Sequence, residues 1–233
     1  MYNGMTAPVT PFAIRGVIWY QGEANVSGGL AYFGKMSALI AGWRKSWGYE
    51  FPFHFVQLAP WSGYPAGALP PLWEAQVASL KIPGTGMAVV TDLVDNIRDI
   101  HPRNKPDVGN RLALWALVKT YGKKGLEYSG PLYRSMAVEG NRARLSFAHV
   151  DGGLKSRDGK PLTEFEIAGA DGKFVPAEAT IDDGTVVVQS NDVAAPAQVR
   201  FGWRNTANPN LMNAAGLPAS PFQTNHWQGG TGE

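Results

Sequence analysis

The sequence predicts an α/β fold, a parallel sheet covered by helices on both faces, followed by a smaller antiparallel β-rich module. Two patterns predict it. Through about residue 121, short apolar strands alternate with segments of helical periodicity, as in successive βαβ units. From residue 131 onward the segments are short, β-rich and separated by Asp-Gly turns, as in an antiparallel sandwich. The division is expected between 1–128 and 129–233.

Gly16-Val17-Ile18-Trp19-Tyr20 reads as a short buried strand, and the polar loop Gln21-Gly22-Glu23-Ala24-Asn25 follows it. A helix is expected over about 30–47, where Phe33, Met36, Leu39, Ile40, Trp43 and Trp47 fall at helical spacing and Gly48 can close the end. Phe53-His54-Phe55-Val56-Gln57-Leu58 reads as the second strand. A loop rich in Gly, Pro and aromatic residues covers 59–70, and a short helix covers about 72–80. Met87-Ala88-Val89-Val90-Thr91 is the third strand, and a polar stretch from Asp92 to His101 follows it. The next helix is expected over 108–121, with Asp107 as cap and Gly122 as stop. In the β-rich half, strands are expected at 142–147, 165–167, 185–189 and 198–203. The turns are Asp151-Gly152-Gly153, Asp158-Gly159, Asp171-Gly172 and Asp183-Gly184.

With 233 residues and 44% hydrophobic content, the chain can bury one large core or two small ones. A net charge of +2 is too small to argue for nucleic acid or an anionic membrane. No apolar run approaches the ~20 residues of a membrane span. The absence of cysteine excludes disulfides and thiolate metal sites and leaves the compartment open. Met1-Tyr2-Asn3-Gly4-Met5 lacks the basic start and apolar stretch of a signal peptide. That leaves either a cytoplasmic location or an N-terminus upstream of this sequence.

Loops that follow parallel strands lie along one sheet edge, where ligands bind in such folds. Both polar motifs follow apolar strands, so they are expected to meet. In Asp99-Ile100-His101-Pro102-Arg103, the imidazole suits proton transfer near neutral pH. In an extended segment, Asp99 two residues earlier points to the same side and can orient the ring. Asp92 and Asp95 are alternative carboxylates, and Asp99 can equally be a solvated loop acid. In the first motif, Gly22 permits close approach of backbone to ligand. The Asn25 amide and a backbone N–H can donate to a developing oxyanion. A turn with a helix cap at Asn25 or Ser27 is the structural alternative.

Trp61, Tyr64 and Trp73 flank the loop after the second strand, where they can line a sugar pocket or pack the loop down. Arg98 and Arg103 can bind a carboxylate or stand as ordinary solvated charges. His54, among apolar neighbours in a strand, reads as structural; His149 and His226 are weaker candidates. The four histidines are too scattered for a metal motif, and no cofactor is expected. The pair Asp99 and His101 still lacks a nucleophile. Ser27 and Ser62 are the nearest serines, and Ser27 lacks a nucleophile-elbow context.

These motifs, in this order, resemble the sialate O-acetylesterase family of SGNH-type hydrolases. The matching stretches are Tyr2-Asn3-Gly4-Met5 with Ala7-Pro8, Gly16 through Asn25, Asp99 through Lys105 with Val108-Gly109 and Arg111-Leu112-Ala113, and Gly216-Leu217-Pro218-Ala219-Ser220-Pro221-Phe222. The resemblance implies a three-layer, flavodoxin-like hydrolase domain of which this chain carries the C-terminal part. It implies an ester-cleaving Ser–His–Asp arrangement acting on O-acetyl groups of sialic acid or other glycans. Carried over by position, His101 is the general base and Asp99 its partner. Gly22 and Asn25 line the oxyanion site, Gln21 and Glu23 support it, and Ala24 stands where a serine is common.

The family's Gly-x-Ser-Asn-Met-like nucleophile block is not in this sequence, and the Asp–x–His spacing is one residue tighter than in many SGNH enzymes. The expected partner is therefore an N-terminal segment of the same protein carrying the serine, besides the acetylated glycan. This chain alone is expected to be weak or inactive, with an unpaired sheet edge and exposed apolar surface. The resemblance implies a secreted or periplasmic location. A non-catalytic glycan-binding or scaffold protein, with Trp203 and Trp227 as sugar-stacking candidates, is the alternative.

Overall fold

The structure, a computed structural model, describes residues 2–225. Strands β1 (Val17–Trp19), β2 (Phe53–Val56) and β3 (Thr85–Ala88) form a parallel sheet in the order β1-β2-β3. Its helices are α1 (Tyr32–Trp47), α2 (Leu69–Ala78) and α3 (Lys105–Trp115).

Alternation along the strands sorts the core into two layers. Phe53, Phe55, Met87 and Val89 pack with Tyr32, Met36 and Ile40 of α1 and Leu69, Leu72 and Trp73 of α2. Val56, Ala88 and Val90 point the other way, onto Val108 and Leu112 of α3. The sheet is thus the middle of three layers. Tyr32, Met36 and Ile40 recur every four residues and are nearly fully buried, which is why this segment is helical. Gly48 ends α1 in the left-handed region at φ 77° and donates its N–H to Arg44 O.

Of the boundaries that differ from the sequence reading, three have a clear local cause. Helix α2 begins at Leu69, because Pro70 and Pro71 fit the first helical turn rather than the loop before it. Helix α3 begins at Lys105 and is capped by Asn104, whose Oδ1 accepts the Asp107 N–H at 3.2 Å. Strand β3 starts at Thr85, earlier than its apolar run, because Thr85 and Gly86 pair with Phe53 and His54.

The second half folds into two four-stranded antiparallel sheets. One joins β4 (Leu132–Glu139), β5 (Arg142–Ala148), β10 (Thr185–Gln189) and β9 (Glu178–Asp182), in the order β4-β5-β10-β9. The other joins β7 (Phe165–Ala168), β8 (Val175–Pro176), β11 (Gln198–Phe201) and β13 (Phe222–Gln223), in the order β13-β11-β7-β8. Strands β6 (Leu154–Ser156) and β12 (Leu211–Asn213) form a small ladder of their own. Leu145, Val186 and Val188 from the first sheet meet Ile167, Val199, Phe201 and Phe222 from the second in one core. Asp183 and Gly184 both take positive φ, 44° and 75°, and make the two-residue turn between β9 and β10.

The halves touch through polar groups as well as apolar ones. Gln57 Nε2 donates to Ser220 Oγ at 2.9 Å, a buried bond between β2's extension and the segment before β13. Ala207, 1% exposed, belongs to the same core as Leu58 and Tyr64.

Candidate active site

The loops after β1 and β3 meet. Tyr20, Gln21, Glu23 and Ala24 from the first line an open cleft of about 430 Å³ with Ile100, His101 and Lys105 from the second. A separate cavity of about 220 Å³, lined by Glu74, Lys81, Tyr133 and Phe222 among others, holds none of the predicted site residues.

The first loop is bonded to itself. Gln21 Nε2 donates to Asn25 Oδ1 at 2.9 Å, and the Gly22 N–H donates to Glu23 Oε2 at 2.9 Å. The Asn25 N–H reaches Gly22 O at 2.8 Å. The hydroxyl of Tyr32, at the start of α1, donates to Gln21 O at 2.8 Å and so ties the loop to the core. A Cβ on Gly22 would lie 3.3 Å from Leu58, closer than ordinary contact, so the close seat of this loop depends on glycine. Among the described residues, the Asn25 Nδ2 group has no hydrogen-bond partner.

Two tyrosines beside this loop stay neutral. Burial, reinforced by the Glu23 carboxylate, pushes the Tyr20 hydroxyl up to about 12. Burial also raises Tyr64, with smaller contributions from Glu23 and Tyr20. Lys105 Nζ lies 4.8 Å from the centre of the Tyr20 ring, a cation–π contact across the cleft.

In the second loop, His101 is exposed and its imidazole has no hydrogen-bond partner among the described residues. Asp99 Oδ1 accepts the His101 backbone N–H at 2.9 Å, an Asx turn that bends the chain. The carboxylate thus holds the backbone of the histidine rather than its ring. Asp92 is committed elsewhere: it makes a bidentate pair with Arg111 at 2.6 and 2.7 Å. Both side chains are nearly buried, 8% and 12% exposed, and Arg111 also donates to Val89 O. Asp95 is exposed.

Trp61 and Tyr64 stack edge to face at 4.9 Å and hold their own loop rather than line the cleft. Trp73 is fully buried and donates to Leu58 O at 2.6 Å. Arg98 and Arg103 are exposed, and Arg103 does not line the cleft. Gly22, Asn25 and Asp99 are neighbours in sequence of lining residues but do not themselves line the cleft. His54 is buried in β2, 3.4 Å from Thr120 Oγ1, and burial holds it below the ordinary histidine value. His149 Nδ1 lies 3.1 Å from Glu127 Oε1, and His149 does not line the cleft. His226 and Trp227 lie outside the described residues. Sequence reasoning did not single out Tyr20, Tyr32 or Lys105. Their signal was position alone: the end of a strand, the start of a helix, and four residues past His101.

A scan of protein-family models gives no match. The chain is 31% identical over 229 residues to the sialate O-acetylesterase of Rattus norvegicus, covering 87% of this chain and 42% of the relative. It is 29% identical over 257 residues to the sialate O-acetylesterase of Homo sapiens, covering 95% of this chain and 48% of the relative. The chain thus spans about half the length of the curated relatives it matches. Among solved structures, a carbohydrate acetylesterase from Xanthomonas citri superposes with a TM-score of 0.91 at 44% identity, over 97% of this chain and 54% of that one. In sequence and in fold, the chain belongs to the sialate O-acetylesterase family of carbohydrate esterases.

Proposed function

We propose that this chain carries the proton-transfer and oxyanion half of a carbohydrate O-acetylesterase, which hydrolyses acetyl esters on sialic acid or other glycans. The observation that carries the reading is the shared cleft: two polar loops, distant in sequence, face each other with an unpartnered imidazole between them. The names of the related proteins support the same reaction class.

In this reading His101 accepts the proton of a serine as its oxygen attacks the acetyl carbonyl. It returns that proton to the departing sugar oxygen and then activates water against the acyl-enzyme, releasing acetate. The Asn25 amide and the Gly22 N–H stabilise the oxyanion. Gly22 now donates to Glu23, so its service requires that carboxylate to swing away. Asp99 shapes the turn that presents the ring.

The serine comes from polypeptide upstream of residue 1. Ser27 and Ser62 are exposed and neither lines the cleft. Among the described residues β1 pairs with β2 alone, and Ile18 on it is 70% exposed. That open apolar edge supports a further strand beside it.

The test is intact-mass analysis after fluorophosphonate treatment, run beside an acetyl-ester turnover assay. The expected result is no adduct and no turnover for this chain, and both on adding an upstream segment that carries the serine. A stoichiometric adduct on residues 1–233 would place the nucleophile within this sequence. Silence in both preparations would end the esterase reading.

A further inference from the structure

We propose that Asn205, on the segment between β11 and β12, is a positioning residue for the His101 loop, so that the β-rich module takes part in building the site. The inference rests on the esterase reading for its functional meaning, but not for its geometry.

Asn205 makes four hydrogen bonds to one neighbouring segment. Its Nδ2 donates to Tyr64 O at 3.1 Å and to Pro65 O at 2.8 Å. Its Oδ1 accepts the Leu69 N–H at 3.1 Å, and its carbonyl accepts the Trp61 N–H at 2.9 Å. The 61–69 loop is thereby clamped at both ends and in the middle. Its root is fixed, because Ala207, two residues on, is buried in the α/β core.

The clamped loop in turn holds the segment that leads to the histidine. Trp61 Nε1 donates to Arg98 O at 3.0 Å, and the Ser62 N–H donates to Ile97 O at 2.9 Å. Asp99 then fixes the His101 backbone. Hydrogen bonds therefore lead from Asn205 through Trp61 and Ser62 to the residues just before the imidazole. The stem of the same loop has a separate lock, the Asp92–Arg111 pair, which acts on its other end. Loss of Asn205 should release the His101 end and leave the stem in place.

The test is histidine and amide NMR on this chain, which needs no turnover. In Asn205→Ala, exchange of the Trp61 and Ser62 amides and the Trp61 indole N–H should quicken by about tenfold. The His101 ring resonances should shift, while those of His54 and His149 stay in place. Asn205→Asp keeps the acceptor for Leu69 but loses the donor to Tyr64 and Pro65, and it should show the same pattern. Asn208→Ala, which removes an acceptor from Arg157 instead, should leave His101 unchanged.

Unchanged His101 signals in both Asn205 variants would overturn the proposal. So would a uniform rise in exchange through β5 and β10, which would mark Asn205 as a general stabiliser. Should Asn205→Ala not fold, the Asp variant alone decides. Failure of the esterase assay would defeat the functional reading, and these spectra would still decide the anchor.

Discussion

The two loops that share the cleft differ in what holds them. The loop after β1 is closed on itself, with Gln21, Glu23 and Asn25 bonding one another or the local backbone, and Tyr32 tying it to α1. The loop after β3 is locked at its stem by Asp92 and Arg111, turned by backbone bonds at Asn96 and Asp99, and held from outside by Trp61 and Ser62. Oxyanion donors work best when fixed beforehand, and local bonding fixes them. A base that takes and returns a proton needs an accessible ring, and support through the backbone leaves the ring free.

The sharpest way to break this comparison is His101→Ala. In a polypeptide that carries the serine, acetyl-ester turnover should fall by on the order of 10³-fold or more. The urea midpoint should hold, because the ring touches no hydrogen-bond partner. Retained turnover would move proton transfer to another residue. Next in size is Asp92→Ala, which leaves the Arg111 charge nearly buried without its partner. It should cost about 3–5 kcal/mol in urea unfolding. A loss below about 1 kcal/mol would mean that the stem has another lock.

Smaller still is Gln21→Ala, expected to cost about 1 kcal/mol and to free the Asn25 amide. Amide-proton NMR would show the loosening confined to residues 21–25 if the loop is self-contained. The smallest effect is on pH. Burial holds His54 below its ordinary value of 6.5, so on acidification the unfolded chain binds the proton first. The contribution of neutral His54 is complete above pH 6.5 and is lost as the pH falls below it. His54→Leu should flatten stability against pH there, measured by thermal melts. An unchanged slope would point to groups outside the sheet.

Much of this was legible in the sequence, and the failures are instructive. The meeting of the two loops followed from strand–helix alternation alone, because parallel strands send their following loops to one edge. Gly48 and the Asp183-Gly184 pair declared a helix end and a hairpin, because few other residues take positive φ. Strand β4 was not legible. A register shift at Tyr133 and Ser135 and a half-exposed face break the two-residue alternation. The spacing of Asp99 and His101 suits an Asx turn as well as a ring contact, and spacing alone does not choose between them. Asn205 was illegible for a different reason. Its contacts to Tyr64 and Pro65 lie 141 and 140 positions away, and no local pattern records them.

The Gln57–Ser220 bond joins residues 163 positions apart. Closing so long a loop costs chain entropy that one hydrogen bond does not offset, so the cores on either side must supply the difference. The bond therefore depends on the layers it connects and does not by itself hold them together. It also makes the last strand a dependency of the sheet's middle: shortening the chain past Ser220 would strand the Gln57 amide in the interior, at a place no catalytic assay would identify.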